Sequence, residues 1–205
     1  MGIDVEALIK AVGYAGLFAI VFAETGLLIG FFLPGDTLLI SAGLLIQQDK
    51  VNLELWFLIP LLIVAAVAGD AVGYQVGKHT GPRLFKREDS RLFHRDHLER
   101  AKNFYDRHGG KTIVIARFLA FIRTFAPTVA GAAKMPYSRF VVFNVMGAAL
   151  WVPSMTLMGY FFGKAIPKEF VDVFFIGLLG LMLLASLGPA AWHLWRRRSK
   201  SRSAA

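Results

Sequence analysis

Phe140 to Gly163 is a run of 24 residues without one charged side chain, and Val173 to Trp195 is a run of 23 in which His193 alone titrates. Each exceeds the roughly 20 apolar residues that a helix needs to cross the hydrocarbon of a bilayer. A soluble domain of 205 residues has no use for runs of this kind, so the chain reads as an integral membrane protein. The rest of its composition agrees: 56% hydrophobic, 18% charged, with a mean hydropathy of +0.53.

Against that background, the stretch Glu24-Thr-Gly-Leu-Leu-Ile-Gly-Phe-Phe-Leu-Pro-Gly-Asp36 stands out. It holds a carboxylate at each end and a Pro34-Gly35 break before the second, and the flanks are apolar back to Ala11 and on to Ile46. A carboxylate at the centre of a membrane helix costs about 2.5–3.5 kcal/mol on insertion scales, and such residues mark functional sites by default. Ala11 to about Gly30 is long enough to cross, but Thr37 to Ile46 is too short. Pro34 lacks an amide hydrogen and disfavours helix at Leu33. Open backbone at membrane depth is tolerated only against protein or a water-filled cavity. Residues 11–46 are therefore expected to form a helix and a re-entrant hairpin that lines a site.

Residues 3 to 10 have the character of a short amphipathic turn. Val21-Phe-Ala23 resembles a leader cleavage site, but Asp4, Glu6 and Lys10 replace the positive leader start, so cleavage is not expected. Gln47 to Glu54 is a polar loop, and Leu55 to Gly77 a spanning helix interrupted by Asp70. Gly69, Gly73 and Gly77 fall on one face, which suits close helix packing. The run Gly73 to Lys78 lacks the spacing of a phosphate loop. Gly81-Pro82 is expected to turn the chain into residues 78–111, where ten basic and five acidic residues include an amphipathic helix from about Arg91 to His108. Such a segment suits anionic lipid headgroups rather than nucleic acid. His94 and His97 are a weak metal pattern, and neither a metal nor another cofactor is called for.

A second unusual stretch follows: Ala116-Arg117-Phe-Leu-Ala-Phe-Ile-Arg123-Thr, then Pro127 and Gly131. Arg117 precedes Pro127 by ten residues, as Glu24 precedes Pro34, which suggests a degenerate internal repeat with acidic and basic copies. Lys111 lies before this stretch and Lys134 and Arg139 after it. The positive-inside tendency therefore favours a segment that enters and returns, making 112–133 a second re-entrant hairpin. Spans at 140–163 and 173–195 then place the basic tail 196–205 and the N-terminus in the cytoplasm. The first hairpin opens outward, the second inward, and they meet head to head. The expected fold is all-α, with transmembrane helices, two opposed re-entrant hairpins as an inverted repeat, and interfacial amphipathic helices. Pro34, Gly35, Pro127 and Gly131 are its expected hairpin-shaping residues.

At these motifs the chain resembles the DedA family, also known as SNARE-associated or VTT-domain proteins, over roughly residues 14 to 163. The resemblance rests on Phe22-Ala-Glu24, Phe32-Leu-Pro-Gly-Asp36 and the two-arginine stretch, with further positions at Gly69-Asp70, Gly73-Tyr74, Gly77, Asn144 and Trp151. It implies opposed hairpins and a proton-motive-force-linked transporter or lipid flippase of the inner membrane, not an enzyme. The implied substrates are undecaprenyl phosphate or a phospholipid such as phosphatidylethanolamine. It also implies that Glu24, Asp36, Arg117 and Arg123 are the embedded charged residues.

The chemistry of these side chains fits that role. Arginine keeps its charge when buried and offers a planar fork to phosphate oxygens. On an ideal helix Arg117 and Arg123 stand about 120° apart, so one can hold a headgroup while the other neutralises Glu24 or Asp36. Burial disfavours the charged form of a carboxylate, which makes Glu24 and Asp36 candidates for proton coupling and Asp70 a further one. Trp151 and Pro153 read as packing and kink residues. A plain alternative is two buried ion pairs without function. Other classes to be separated are a small-ion or drug/proton exchanger, a membrane-assembly factor and a lipid-phosphate enzyme.

Overall fold

In the computed structural model, residues 5–26, 35–84 and 110–165 are described, and all of the elements they form are helices. The Pro34 break, the amphipathic basic segment with His94 and His97, the span at 173–195 and the basic tail lie outside the described residues. Helix α1 is Val5–Gly26, α2 Gly35–Gln47, α3 Leu55–Leu84, α4 Lys111–Ala116, α5 Ala120–Ala132 and α6 Tyr137–Ala165.

Two of these are long and apolar enough to cross a membrane. Leu55–Gly81 has 27 residues at mean hydropathy 2.2, and Tyr137–Lys164 has 28 at 1.6. At 1.5 Å per residue each is about 40 Å long. Large apolar side chains on both are turned outward, among them Trp56, Phe57, Val64, Val142, Leu150 and Phe161, a surface suited to lipid.

The first apolar stretch, expected to cross from Ala11 to about Gly30, is described as far as Gly26. Gly13 breaks α1 with φ 53° and ψ −151°, a left-handed conformation that glycine adopts without strain. The apolar piece beyond it, Gly13–Gly26, has 14 described residues, about 21 Å along the helix axis.

Pairings along the helices fix their directions. Tyr14 meets α3 at Phe57, with ring centroids 5.0 Å apart, and accepts a 2.5 Å hydrogen bond from the Glu54 amide. Twelve residues further along each helix, Gly26 lies against the Gly69 backbone, so α1 runs parallel to α3. Helix α5 also runs parallel to α3: Gly73 faces Pro127, Gly77 faces Thr128 and Gly81 faces Ala132. The order reverses between the two long helices, where Val67 pairs with Asn144 and Tyr74 stacks on Phe140 at 4.6 Å. Along α6, in its own direction, lie α4, with Gly110 at Phe143 and Arg117 at Gly147, and α2, with Ile40 at Gly159 and Gln47 at Gly163. Thus α1, α3 and α5 point one way, and α2, α4 and α6 the other.

The expected packing role of Gly69, Gly73 and Gly77 appears as a face shared between two neighbours, since Gly69 receives α1 and the others receive α5. Beside it, Tyr74, Ile113, Ala130, Met135 and Phe140 form an apolar cluster, closed by a hydrogen bond from the Tyr74 hydroxyl to the Met135 carbonyl.

Three expectations are corrected. Helix α3 runs through Gly81-Pro82 to Leu84 instead of turning there. The second stretch breaks at Phe118-Leu119, where Leu119 is extended (φ −110°, ψ 100°). Pro127 and Gly131, expected to shape that hairpin, lie inside α5, Pro127 beside Gly73 and Gly131 against the Tyr74 carbonyl. Membrane helices tolerate an internal proline because neighbouring groups serve the backbone it frees. The equal ten-residue spacings therefore do not mark equivalent places, as Pro34 precedes α2 whereas Pro127 is the eighth residue of α5.

The packing makes a sharp contrast between two glycines. A Cβ on Gly77 would overlap the Thr128 carbonyl, whereas one on Gly73 would sit 3.4 Å from Pro127 Cβ. Gly77→Ala should cost about 1–3 kcal/mol, the usual penalty of overpacking, and Gly73→Ala should be neutral. Heating the detergent-solubilised variants and following the surviving monodisperse fraction by size-exclusion chromatography checks this.

Candidate functional site

Helix ends and helix middles deliver the side chains of the site. Glu24 sits in the last turn of α1 and Asp36 in the first turn of α2. Asp70 is the sixteenth of the 30 residues of α3, and Trp151 the fifteenth of the 29 of α6. Arg117 caps the C-terminus of α4, and Arg123 is the fourth residue of α5. The ends of both short helix pairs thus meet at the middle of the two long helices.

There the charges sort into two clusters. Arg123 places Nη1 2.6 Å from Asp36 Oδ1 and donates through Nη2 to Glu24 Oε1, so one fork holds both carboxylates of the first pair. Gly35 makes room for this arrangement, because a Cβ there would overlap the Glu24 carboxylate. Both acids also stand at the start of α2, where the helix dipole favours negative charge. Arg117 forms the second cluster. Its Nη2 donates to Asp70 Oδ2 at 2.5 Å and to Asn144 Oδ1 at 2.5 Å, while Asn144 Nδ2 donates to the Val67 carbonyl at 3.1 Å. Asp70, Arg117 and Glu24 are each at most 4% exposed.

Trp151 joins the clusters. Its Nε1 donates to Asp36 Oδ1 at 2.9 Å, and its ring centroid is 4.8 Å from Arg123 Cζ and 5.8 Å from Arg117 Cζ. These separations are within the range of cation–π attraction. Glu24, Thr25, Asp70, Arg117, Arg123, Thr124 and Trp151 line a cavity of about 10 Å³, room for about one water. With every group ionised, three carboxylates face two guanidiniums, a net charge of −1.

The structure therefore brings Glu24, Asp36, Asp70, Arg117 and Arg123 together, and it pairs them in a specific way. Asp70, read from sequence as a further candidate, is the partner of Arg117. Trp151, read as a packing residue, donates to Asp36. Asn144 escaped the sequence reading as a site residue, although it is the one carboxamide in the charge-free run from Phe140 to Gly163.

The VTT domain pattern matches residues 33–161, a span that holds every member of both clusters except Glu24. The chain is 42% identical over 193 residues to Protein DedA of Escherichia coli (strain K12), covering 93% of this chain and 86% of that protein. The chain belongs to the DedA family. Other relatives include an uncharacterized membrane protein of Mycobacterium leprae (strain TN), 39% identical over 197 residues and covering 96% and 87% of the two chains. The inner membrane protein YqjA of Escherichia coli (strain K12) is 36% identical over 194 residues, covering 92% and 87%. No solved structure matches this DedA-family chain.

Buried ion pairs contribute little net stability but are costly to halve, because the partner left behind keeps a buried charge. Arg117→Met alone should destabilise the protein by about 3–5 kcal/mol, and adding Asp70→Leu should recover most of that loss. Unfolding of the single and double variants in detergent gives the comparison.

Proposed function

We propose that this DedA-family protein carries an anionic lipid across the membrane, undecaprenyl phosphate or a phospholipid, coupled to the movement of protons. The observation that carries the reading is the meeting of two guanidiniums and three carboxylates at the middle of both long helices. Intramembrane charges that line a site instead of facing lipid mark transport pathways. In this reading α1–α2 and α4–α5 are re-entrant hairpins of an inverted repeat, supported by the two opposed sets of helix directions. Substrate sites of such transporters lie at the repeat interface near the bilayer midplane. In this reading the basic tail lies in the cytoplasm, and the protein acts as a carrier and not as an enzyme. A re-entrant α1–α2 begins on the opposite face, where Tyr14 meets Glu54 beside the 48–54 loop, in place of the cytoplasmic N-terminus expected from sequence.

The geometry suggests how protons and lipid are coupled. A cavity of about 10 Å³ has no room for a phosphate group, so the hairpin ends must part to admit one. A phosphate oxygen pair matches the fork that Arg123 now offers to Glu24 and Asp36. When the headgroup takes the guanidinium, the displaced carboxylates stay buried without a cation, and protonation is their cheapest way to remain there. Release of the lipid reverses both steps. Asp70 and Asn144 meanwhile hold Arg117 for a second contact to the phosphate.

The small cavity also supports a second reading, proton exchange against a small ion or drug without a lipid. Proteoliposomes separate the two. Labelled undecaprenyl phosphate and labelled phospholipid are each followed across the bilayer, with and without a pH gradient. One of them should move faster under the gradient. Arg117→Ala and Glu24→Gln should each slow that movement about 10–100-fold, the loss expected for one charge-assisted bond, while still inserting. Normal lipid movement by both variants would sink the proposal, and proton flux with no lipid movement would favour the exchanger.

A further inference from the structure

The chain alternates between two sets of helices, α1, α3 and α5 pointing one way and α2, α4 and α6 the other. Among the described residues, wherever a glycine meets the backbone of another helix, both helices belong to one set. In the first set Gly26 meets Gly69, and Gly77 and Gly131 meet the carbonyls of Thr128 and Tyr74. In the second set Gly43 and Gly159 meet the carbonyls of Thr156 and Ile40, and Gly147 meets Val114. The two reciprocal pairs share one spacing, because each glycine stands three residues after the residue whose carbonyl faces the partner glycine. Backbone packed this closely transmits a displacement instead of absorbing it. Each set is therefore a mechanical unit.

Contacts between the sets run through side chains. Near the start of α6 there are several: Tyr74 stacks on Phe140, Arg117 bonds Asp70 at 2.5 Å, and Asn144 Nδ2 donates to the Val67 carbonyl at 3.1 Å. Trp151 lies about 10.5 Å further along α6, toward the end where Gly163 meets Gln47. At that level Arg123 reaches Asp36 across the boundary, with the Trp151 ring beside it. The Arg123 fork thus straddles the boundary, since Glu24 is on its own set and Asp36 on the other. Trp151 holds Asp36 from within the second set. A guanidinium can trade one anion for another without ever being left unpaired, so this contact is the cheapest to exchange. Where the connections from set to set are described, they carry non-helical backbone, extended at Leu119 and left-handed at Lys134 (φ 58°). Hinges are built from a few such residues.

We infer that the two sets part about the Tyr74–Phe140 and Asn144–Val67 contacts, that Arg123–Asp36 is the charged contact that opens, and that a lipid phosphate replaces Asp36 on Arg123. Glu24 stays with Arg123. The phosphate step rests on the lipid-carrier reading above, whereas the division into two sets does not. The site opens toward the loop at 48–54. Neither short helix pair moves as a unit, because each has one helix in each set.

The chain contains no cysteine, so pairs of exposed positions can carry spin labels. Trp56→Cys with Phe161→Cys reads the gap between α3 and α6 at the 48–54 end, and Val64→Cys with Val129→Cys reads α3 against α5 inside the first set. Distances are measured in detergent by pulsed electron paramagnetic resonance. The near-isosteric Asp36→Asn should widen the first distance by more than about 2 Å and leave the second within about 1 Å. Glu24→Gln, which cuts a contact inside the first set, should leave both in place. Undecaprenyl phosphate or phosphatidylglycerol, added to labelled protein with its site intact, should widen the first distance alone. An unchanged first distance in Asp36→Asn, equal widening in Glu24→Gln, or a shift of the second distance would overturn the inference. Opening in Asp36→Asn with no response to either lipid counts against the lipid carrier and not against the division into two sets.

Discussion

The arrangement depends on one guanidinium. Arg123 binds Glu24 and Asp36 together, and so joins the end of α1, the start of α2 and the second short helix pair in a single fork. Without it two carboxylates would face each other in apolar surroundings, each costing several kcal/mol. With it the ends of α1 and α2 are fixed against the centre of the molecule, and Trp151 locks the pair from α6. The second arginine acts on different elements, tying α4 to the middle of α3 and to α6 through Asp70 and Asn144. Two arginines thus hold four side chains drawn from α1, α2, α3 and α6.

Packing then exchanges partners between the halves. Helix α5, from the second pair, lies along the later half of α3, and α2, from the first pair, lies along the later half of α6. Glycines make both approaches possible, Gly77 and Gly131 in one interface and Gly43 and Gly159 in the other. Small residues of this kind let membrane helices gain dispersion contacts where no hydrophobic force separates helix from lipid. The result is a rigid frame around a centre that is polar and barely hydrated.

Much of the site was legible in the sequence because charge in an apolar run is rare and expensive. Glu24, Asp36, Arg117 and Arg123 announce themselves on that ground, and the structure brings them together. What failed was geometry. The second break carries no proline or glycine, since Phe118-Leu119 turns on backbone conformation alone, whereas the proline that invited a break sits within a helix. Gly13, one of 20 glycines, gave no sign of being the one that takes a left-handed conformation. Asn144 and Trp151 were visible as residues but not as ligands, because their roles arise from contacts 77 and 115 residues away in the chain. A separation of 47 residues hides the pairing of Asp70 with Arg117 in the same way.

Sequence separation also bears on how the protein is made. Arg123 follows Glu24 by 99 residues and Asp36 by 87. At a synthesis rate of roughly 5–20 residues per second, the two acids wait about 5–20 s before their cation leaves the ribosome. During that interval the first helix pair cannot settle at its final depth as a charged unit. Nascent chains must keep it at the aqueous boundary, in protonated form, or beside the insertion machinery. Biogenesis of this fold is thereby a late event, completed only when the second half delivers the charge that the first half lacks.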